Sequence, residues 1–133
     1  MLLDSNIIIY SVQPEFEKIL EFLSSKEDSL SVSIISKIEV LGYNKLTNFD
    51  KENFLSFFDK IQSFGVNDEI VNIAIDLKQQ QKMSLGDAII AATAIYKKIP
   101  LLTNNTDDFK HIENLVLISL NDIIGGNKEA VIS

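Results

Sequence analysis

Cysteine is absent from all 133 residues, so neither disulfides nor thiolate metal ligands can contribute to this chain. Arginine is missing too, since every one of the twelve basic residues is a lysine. Any phosphate contact must therefore use a compact ammonium charge in place of the planar guanidinium fork. The five glycines match neither the dinucleotide fingerprint nor the P-loop spacing, which removes the two common phosphate-cradling loops. No Gly-x-Ser-x-Gly elbow occurs among the serines, so hydrolysis through a nucleophilic serine has little support. Apolar runs stop far short of the ~20 residues that a membrane helix requires. Asp4 also stands where a secretory signal would carry basic and then apolar residues, and a soluble cytoplasmic protein with no membrane partner is expected. The formal net charge of −7 argues against a general nucleic-acid binder, which carries a basic footprint. Acids converging on a bound cation would lessen that objection. Lys37, Lys45, Lys82, Lys97, Lys98 and Lys110 are the candidates for a phosphate-facing side, with a solvated helix face the commoner role for such residues.

A chain of this length buries about two thirds of its unfolded surface without covalent staples, and residues 1–133 read as a single domain. Five helical patterns and about four short strands can be traced. Met1-Leu2-Leu3 reads as a short buried strand. Glu15 to Leu23 carries Phe16, Ile19, Leu20 and Leu23 at helical spacing, with Pro14 suited to an early helical position. Leu30 to Ile34 alternates as a strand and runs into a helix bearing Glu39. Asp50 to Phe64 reads as one helix with an aromatic stripe of Phe54, Phe57 and Phe58, stopped by Gly65; such a stripe is more often core than interface. Asn67 or Asp68 caps a helix whose Ile70, Ile73, Ala74 and Leu77 face inward. Asp87 opens a helix apolar on nearly every side, strands pass through Leu101-Leu102 and Leu115 to Ile118, and a tail follows Gly125-Gly126. Strands alternating with helices imply a parallel sheet covered on both faces. The single histidine, His111, reads as structural or exposed.

Four carboxylates sit where a purely structural acid is a poor choice. Asp4 ends the first strand and enters a helix, at the edge of an α/β sheet where ligands bind. Glu39 shares a helix face with Ile35, Ile38, Gly42 and Leu46, so its charge is expected to point inward. Asp87 lies in the first turn of the apolar helix, and Asp108 lies in the polar loop after the Leu101-Leu102 strand. Each acid also has an ordinary explanation. Ser36-x-x-Glu39 has capping-box spacing and Ser84-x-x-Asp87 is a looser version. Asp4 can serve as an N-cap, and Asp107-Asp108 can be a solvated turn. Capping accounts neither for Glu39 on an apolar stripe nor for acids recurring at one kind of edge, and a shared divalent metal site accounts for both.

Taken in order, Asp4-Ser5-Asn6, Ser36-x-x-Glu39, Leu85-Gly86-Asp87-Ala88-Ile89-Ile90-Ala91-Ala92-Thr93-Ala94 and Thr103-x-Asn105-x-x-Asp108-Phe109 resemble the PIN-domain ribonucleases, particularly VapC-type toxins. The likeness spans essentially the full length. It implies a three-layer α/β/α sandwich with a central parallel sheet of four to five strands. It also implies a metal-dependent endoribonuclease site carrying Asp4, Glu39 and Asp87, with Asp108 as the fourth acid. The family's fourth acid varies in position; Asp107 is the neighbouring alternative, and Asp108 is favoured because it precedes Phe109. Asn6 matches the polar position of the first motif, and Thr103 and Asn105 match those of the last. The resemblance further implies a cognate antitoxin partner, a homodimer and RNA as substrate. The lack of arginine departs from many relatives and bears on the RNA-binding surface.

Hard oxygen ligands suit Mg²⁺ or Mn²⁺. Two carboxylates ~4 Å apart repel by about 4 kcal/mol at an effective dielectric near 20, and a cation reverses the sign. Asp4 and Asp87 would anchor the principal ion, Glu39 and Asp108 a second ion or a bound water, and Thr103 and Asn105 would orient these ligands. Two other readings compete. One is a non-catalytic module of the same fold that binds metal or protein. The other is a phosphoryl-transfer enzyme with a strand-end aspartate nucleophile, although Asp4-Ser5-Asn6 lacks the second aspartate of the Asp-x-Asp arrangement.

Overall fold

Two consecutive leucines set the architecture. Leu2 and Leu3 form a two-residue strand, β1, with neither side chain exposed. Because successive strand residues point to opposite faces, Leu2 enters one apolar layer and Leu3 the other. β1 pairs in parallel with β4 (Leu101–Thr103), Leu2 opposite Leu101 and Leu3 opposite Leu102, so the two strands divide their leucines between the same two layers.

The structure, a computed structural model, describes residues 1–123. Five parallel strands form one sheet in the order β3-β2-β1-β4-β5, where β2 is Ser31–Ser33, β3 is Gln62–Phe64 and β5 is Leu117–Ser119. Helices α1 (Ser5–Ser11), α2 (Glu17–Ser25) and α4 (Asn48–Asp59) line one side of the sheet; Ile7, Ile8, Ile19, Leu23, Phe54 and Phe58 join Leu3 and Leu102 there. Helices α5 (Asp68–Gln80) and α6 (Leu85–Lys97) cover the other, where Ile70, Ala74, Leu77 and the alanines of α6 pack on Leu2 and Leu101. Helix α3 (Ile34–Leu41) follows β2 and α7 (Leu120–Ile123) follows β5. The result is the expected three-layer α/β/α sandwich.

Local capping chemistry explains where several helices begin. Ser33 accepts from the Ile35 amide at 3.1 Å, Thr47 from Asp50 at 3.1 Å, Asn67 from Ile70 at 2.8 Å and Ser84 from Asp87 at 3.1 Å. Of the two caps proposed for α5, Asn67 is the one used.

Three expectations shift. The helix expected over Asp50 to Phe64 ends at Asp59, and its last residues form the edge strand β3. Phe54, Phe58 and buried Ile61 keep helical spacing across the break, so periodicity alone conceals the turn. The last strand lies at Leu117–Ser119, displaced from Leu115 to Ile118, and a short helix follows it. The tail after Gly125-Gly126 lies outside the described residues.

Burial sets the stability cost of substitutions in the central strands. Leu102→Ala, at a fully buried site shared by β4 and the α1/α2/α4 layer, should lower unfolding free energy by about 2–5 kcal/mol in urea titrations. Ile38→Ala, at a site 63% exposed, should stay within about 0.5 kcal/mol.

Candidate metal centre at the sheet switch point

The strand order reverses at β1. The chain leaves it toward β2 and β3, then returns through α6 to place β4 on its other side. Crevices at the carboxyl ends of such strands are where open α/β sheets bind ligands. Asp4 follows β1 directly, and its amide donates to the Leu102 carbonyl at 3.0 Å, which carries the pairing with β4 one step further.

Asp4 occupies the N-cap position of α1, yet its side chain caps nothing. Instead Asp4 Oδ2 accepts from Thr103 Oγ1 at 2.8 Å, and Thr103 Oγ1 in turn accepts from the Asn105 amide at 2.9 Å. Thr103 is fully buried and Asp4 is 5% exposed. Burial pushes the Asp4 carboxyl up from its ordinary 3.8 to about 6, the charges of Asp87 and Glu39 add to that rise, and the Thr103 hydroxyl opposes it.

Glu39 reaches this rim from α3. Sequence periodicity placed its charge toward the core, but the residue is exposed, and so is Ile38 on the same stretch. The helix stops at Leu41, so Leu46 never joins that face, and its buried positions are Ser36 and Val40. What directs Glu39 is a hydrogen bond: Ser5 Oγ donates to Glu39 Oε1 at 2.7 Å and lies 2.9 Å from Ser36 Oγ. The capping-box alternative fails here, because α3 is capped by Ser33 and Ser36 lies inside the helix. Glu39 Oε2 lies over Gly86, close enough that a Cβ there would collide with it.

Asp87 is half-buried in the first turn of α6. Burial raises its carboxyl pKa, the charges of Asp108 and Glu39 raise it further, and Ser84 opposes the rise. Ser84 does cap α6, so the capping account of this motif holds for the serine and the amide. Asp108 lies exposed in a single 3-10 turn, Thr106–Asp108. Neighbouring Asp107 is turned to Lys110, with Nζ to Oδ1 at 3.1 Å. The four acids thus act on one another electrostatically: Asp4 with Asp87 and Glu39, and Asp87 with Glu39 and Asp108. Asn6 is half-buried on α1 beside Asp4 and Ser5.

Among the described residues, no three of the acids form a ready-made coordination cage. The donor chemistry nonetheless fits a hard divalent cation, since mutually repelling carboxylates, one of them 5% exposed, make up the rim. Sequence reasoning passed over Ser5, Ser36 and Gly86 as contributors. Gly86 was visible as the residue before Asp87, whereas the meeting of Ser5 with Ser36 depends on two helices crossing.

Two of the lysine candidates lie over aromatic rings: Lys97 is 4.6 Å from the Phe64 ring centroid and Lys37 5.8 Å from that of Phe58. His111 is exposed. A cavity of about 600 Å³ between α2 and α4, lined by Leu20, Phe49 and Phe57 among others, touches none of the four acids. A second, of about 550 Å³, has Glu39 on its wall.

An α/β/α sandwich with acidic residues near its switch point is the architecture at hand, and the comparisons place it in a family. The PIN domain family model matches residues 1–115, and the chain belongs to that family. It is 30% identical to Ribonuclease VapC of Rickettsia bellii over 131 residues, which cover 90% of this chain and 96% of that protein. It is 28% identical to Ribonuclease VapC2 of Methanocaldococcus jannaschii over 136 residues, covering 88% and 91%. Among solved structures, a toxin–antitoxin complex from Klebsiella pneumoniae matches with a TM-score of 0.69 at 28% identity, over 86% of this chain and 94% of that one. VapBC2 from Rickettsia felis, bound to a promoter DNA fragment, matches in fold with a TM-score of 0.75 at 23% identity, over 90% and 98%.

The raised Asp4 pKa carries a sign that can be measured. A carboxyl with a higher pKa folded than unfolded takes up a proton on folding between about 4 and 6, so stability rises as pH falls through that window. Keeping Asp4 ionised at neutral pH costs about 3 kcal/mol in the limit. In chelator-treated protein, the stability difference between wild type and Asp4→Asn should shift toward wild type by about 1 kcal/mol from pH 7 to pH 5, read from urea denaturation. A difference independent of pH would show that Asp4 is not held in this way.

Proposed function

We propose that this chain is a Mg²⁺- or Mn²⁺-dependent endoribonuclease, acting as the toxin of a type II toxin–antitoxin pair. What supports this reading is that acids carried by four separate elements feel one another's charges, Asp4 those of Asp87 and Glu39, and Asp87 those of Asp108 and Glu39. Similarity to two proteins named Ribonuclease VapC supports RNA as the substrate, and likeness to toxin–antitoxin complexes supports a cognate antitoxin partner. A homodimer and a cytoplasmic location belong to the same proposal. Among the described residues, no helix is long and apolar enough to cross a membrane.

Asp4 and Asp87 would hold the principal cation, with Glu39 and Asp108 completing the set. When bound, the divalent ion would offset the carboxylate repulsion, activate water and neutralise charge on the attacked phosphate. The chain's own contribution is placement. The Thr103 hydroxyl fixes one oxygen of Asp4, while the Asn105 amide holds that hydroxyl in turn. The start of α6 presents Asp87, with the Ser84 hydroxyl bonded to its amide. Of the two adjacent aspartates in the last loop, Asp108 acts on Asp87 while Asp107 pairs with Lys110, which supports Asp108 as the fourth acid.

The non-catalytic binding module gives the opposite result in a direct assay. Purified protein with Mn²⁺ and a mixed RNA pool should yield fragments ending in 5′-phosphate and 3′-hydroxyl. Excess EDTA should stop the reaction, and Asp4→Asn should slow it by at least about 100-fold, the scale of several kcal/mol of lost transition-state stabilisation. Undiminished cleavage in EDTA would refute metal dependence, and intact RNA under all conditions would favour the binding module.

A further inference from the structure

Glu39 poses a problem that the other acids do not. It is exposed, and a glutamate loses more rotamer freedom than most side chains when it is fixed. Something must aim it if it is to act with Asp4 and Asp87. The device is visible in two serines. Ser36 is fully buried and Ser5 is 8% exposed, and their oxygens lie 2.9 Å apart. Ser5 has a single hydroxyl proton, and Glu39 Oε1, at 2.7 Å, is its charged acceptor. The proton between the two serines must therefore come from Ser36, so the hydrogen bonds run from Ser36 to Ser5 to Glu39.

Ser36 is the third residue of α3, and its hydroxyl reaches sideways to Ser5 on α1. With Oε1 held by Ser5, Oε2 is the oxygen that lies over Gly86, next to Asp87, where glycine leaves room for it.

We infer that Ser36 and Ser5 are positioning residues for Glu39, a two-hydroxyl relay that fixes Oε1 and presents Oε2 beside Asp87 as a cation donor. The relay rests on the metal reading proposed above. It gives the buried Ser5–Ser36 pair a role at the site, and it assigns Gly86 a role in making space for a carboxylate.

The test is Mn²⁺ binding to the full chain without RNA, measured by calorimetric titration with MnCl2. Ser36→Ala and Ser5→Ala should each weaken Mn²⁺ binding by about tenfold, the lower end of what loss of a ligand-orienting partner costs. Ser5→Thr, which keeps the hydroxyl, should retain affinity. In a Glu39→Gln background the same alanine substitutions should change affinity less than about twofold, because their effect passes through the carboxylate. Equal losses in both backgrounds would mean a merely structural role and would overturn the relay. Should Ser36→Ala fail to fold, the Ser5 pair carries the same comparison. If Glu39→Gln weakens Mn²⁺ binding while both alanine variants bind like wild type, the relay is wrong and the nuclease reading stands. If wild type binds no Mn²⁺, both fall.

Discussion

Burial of the Asp4 carboxyl, with the charges of neighbouring acids adding to its cost, is the constraint around which this molecule is arranged. Asp4 is almost wholly removed from water at the one place in the sheet where strand order reverses, and it feels the charges of Asp87 and Glu39. Left free, such groups would relieve the strain by moving apart or taking up protons. They cannot readily move apart, because each is carried by a different rigid element. Asp4 is tied through its amide to β4, Asp87 lies in the first turn of a 13-residue helix with a buried middle, and Glu39 is held by Ser5. The fold therefore stores unfavourable electrostatic energy that the two apolar layers must offset.

Those layers are well suited to that load. Leu2, Leu3, Leu101 and Leu102 are all fully buried, and α6 supplies a run of buried small residues that lets it lie close to the sheet. Close approach matters for the site as well as for stability. The end of β4 puts Thr103 opposite Asp4, and the turn beyond it returns Asp108 toward the start of α6. A sheet able to pack only loosely would leave these groups free to separate.

Much of this could be read in the chain before any coordinates. Asp4, Asp87 and Asp108 stood out as candidates because each follows a strand or opens a helix, Glu39 because it was counted on an apolar stripe, and strands alternating with helices implied a parallel sheet with both faces covered. Other features were hidden for identifiable reasons. β3 was masked by Phe54, Phe58 and Ile61, whose helical spacing continues through the turn after Asp59. Glu39 was read as facing inward because Leu46 was counted on a helix that ends at Leu41. Ser5 and Ser36 stand 31 positions apart, and no local pattern signals that two such hydroxyls meet. Contacts of that kind are products of tertiary packing, and single-sequence periodicity carries no information about them.

Why should the acids come from four elements, when one helix could carry several at successive turns? Side chains one turn apart on a helix leave one surface in similar directions, and like charges so spaced simply repel into solvent. Donors that surround a point must approach it from different sides, which requires separate backbones. The four candidate acids do come from separate backbones: Asp4 follows β1, Asp87 opens α6, Glu39 is carried by α3 and Asp108 by the turn after β4. On the proposed reading, a divalent cation held at this rim would offset the local part of the net charge of −7 and so make the chain compatible with an anionic substrate.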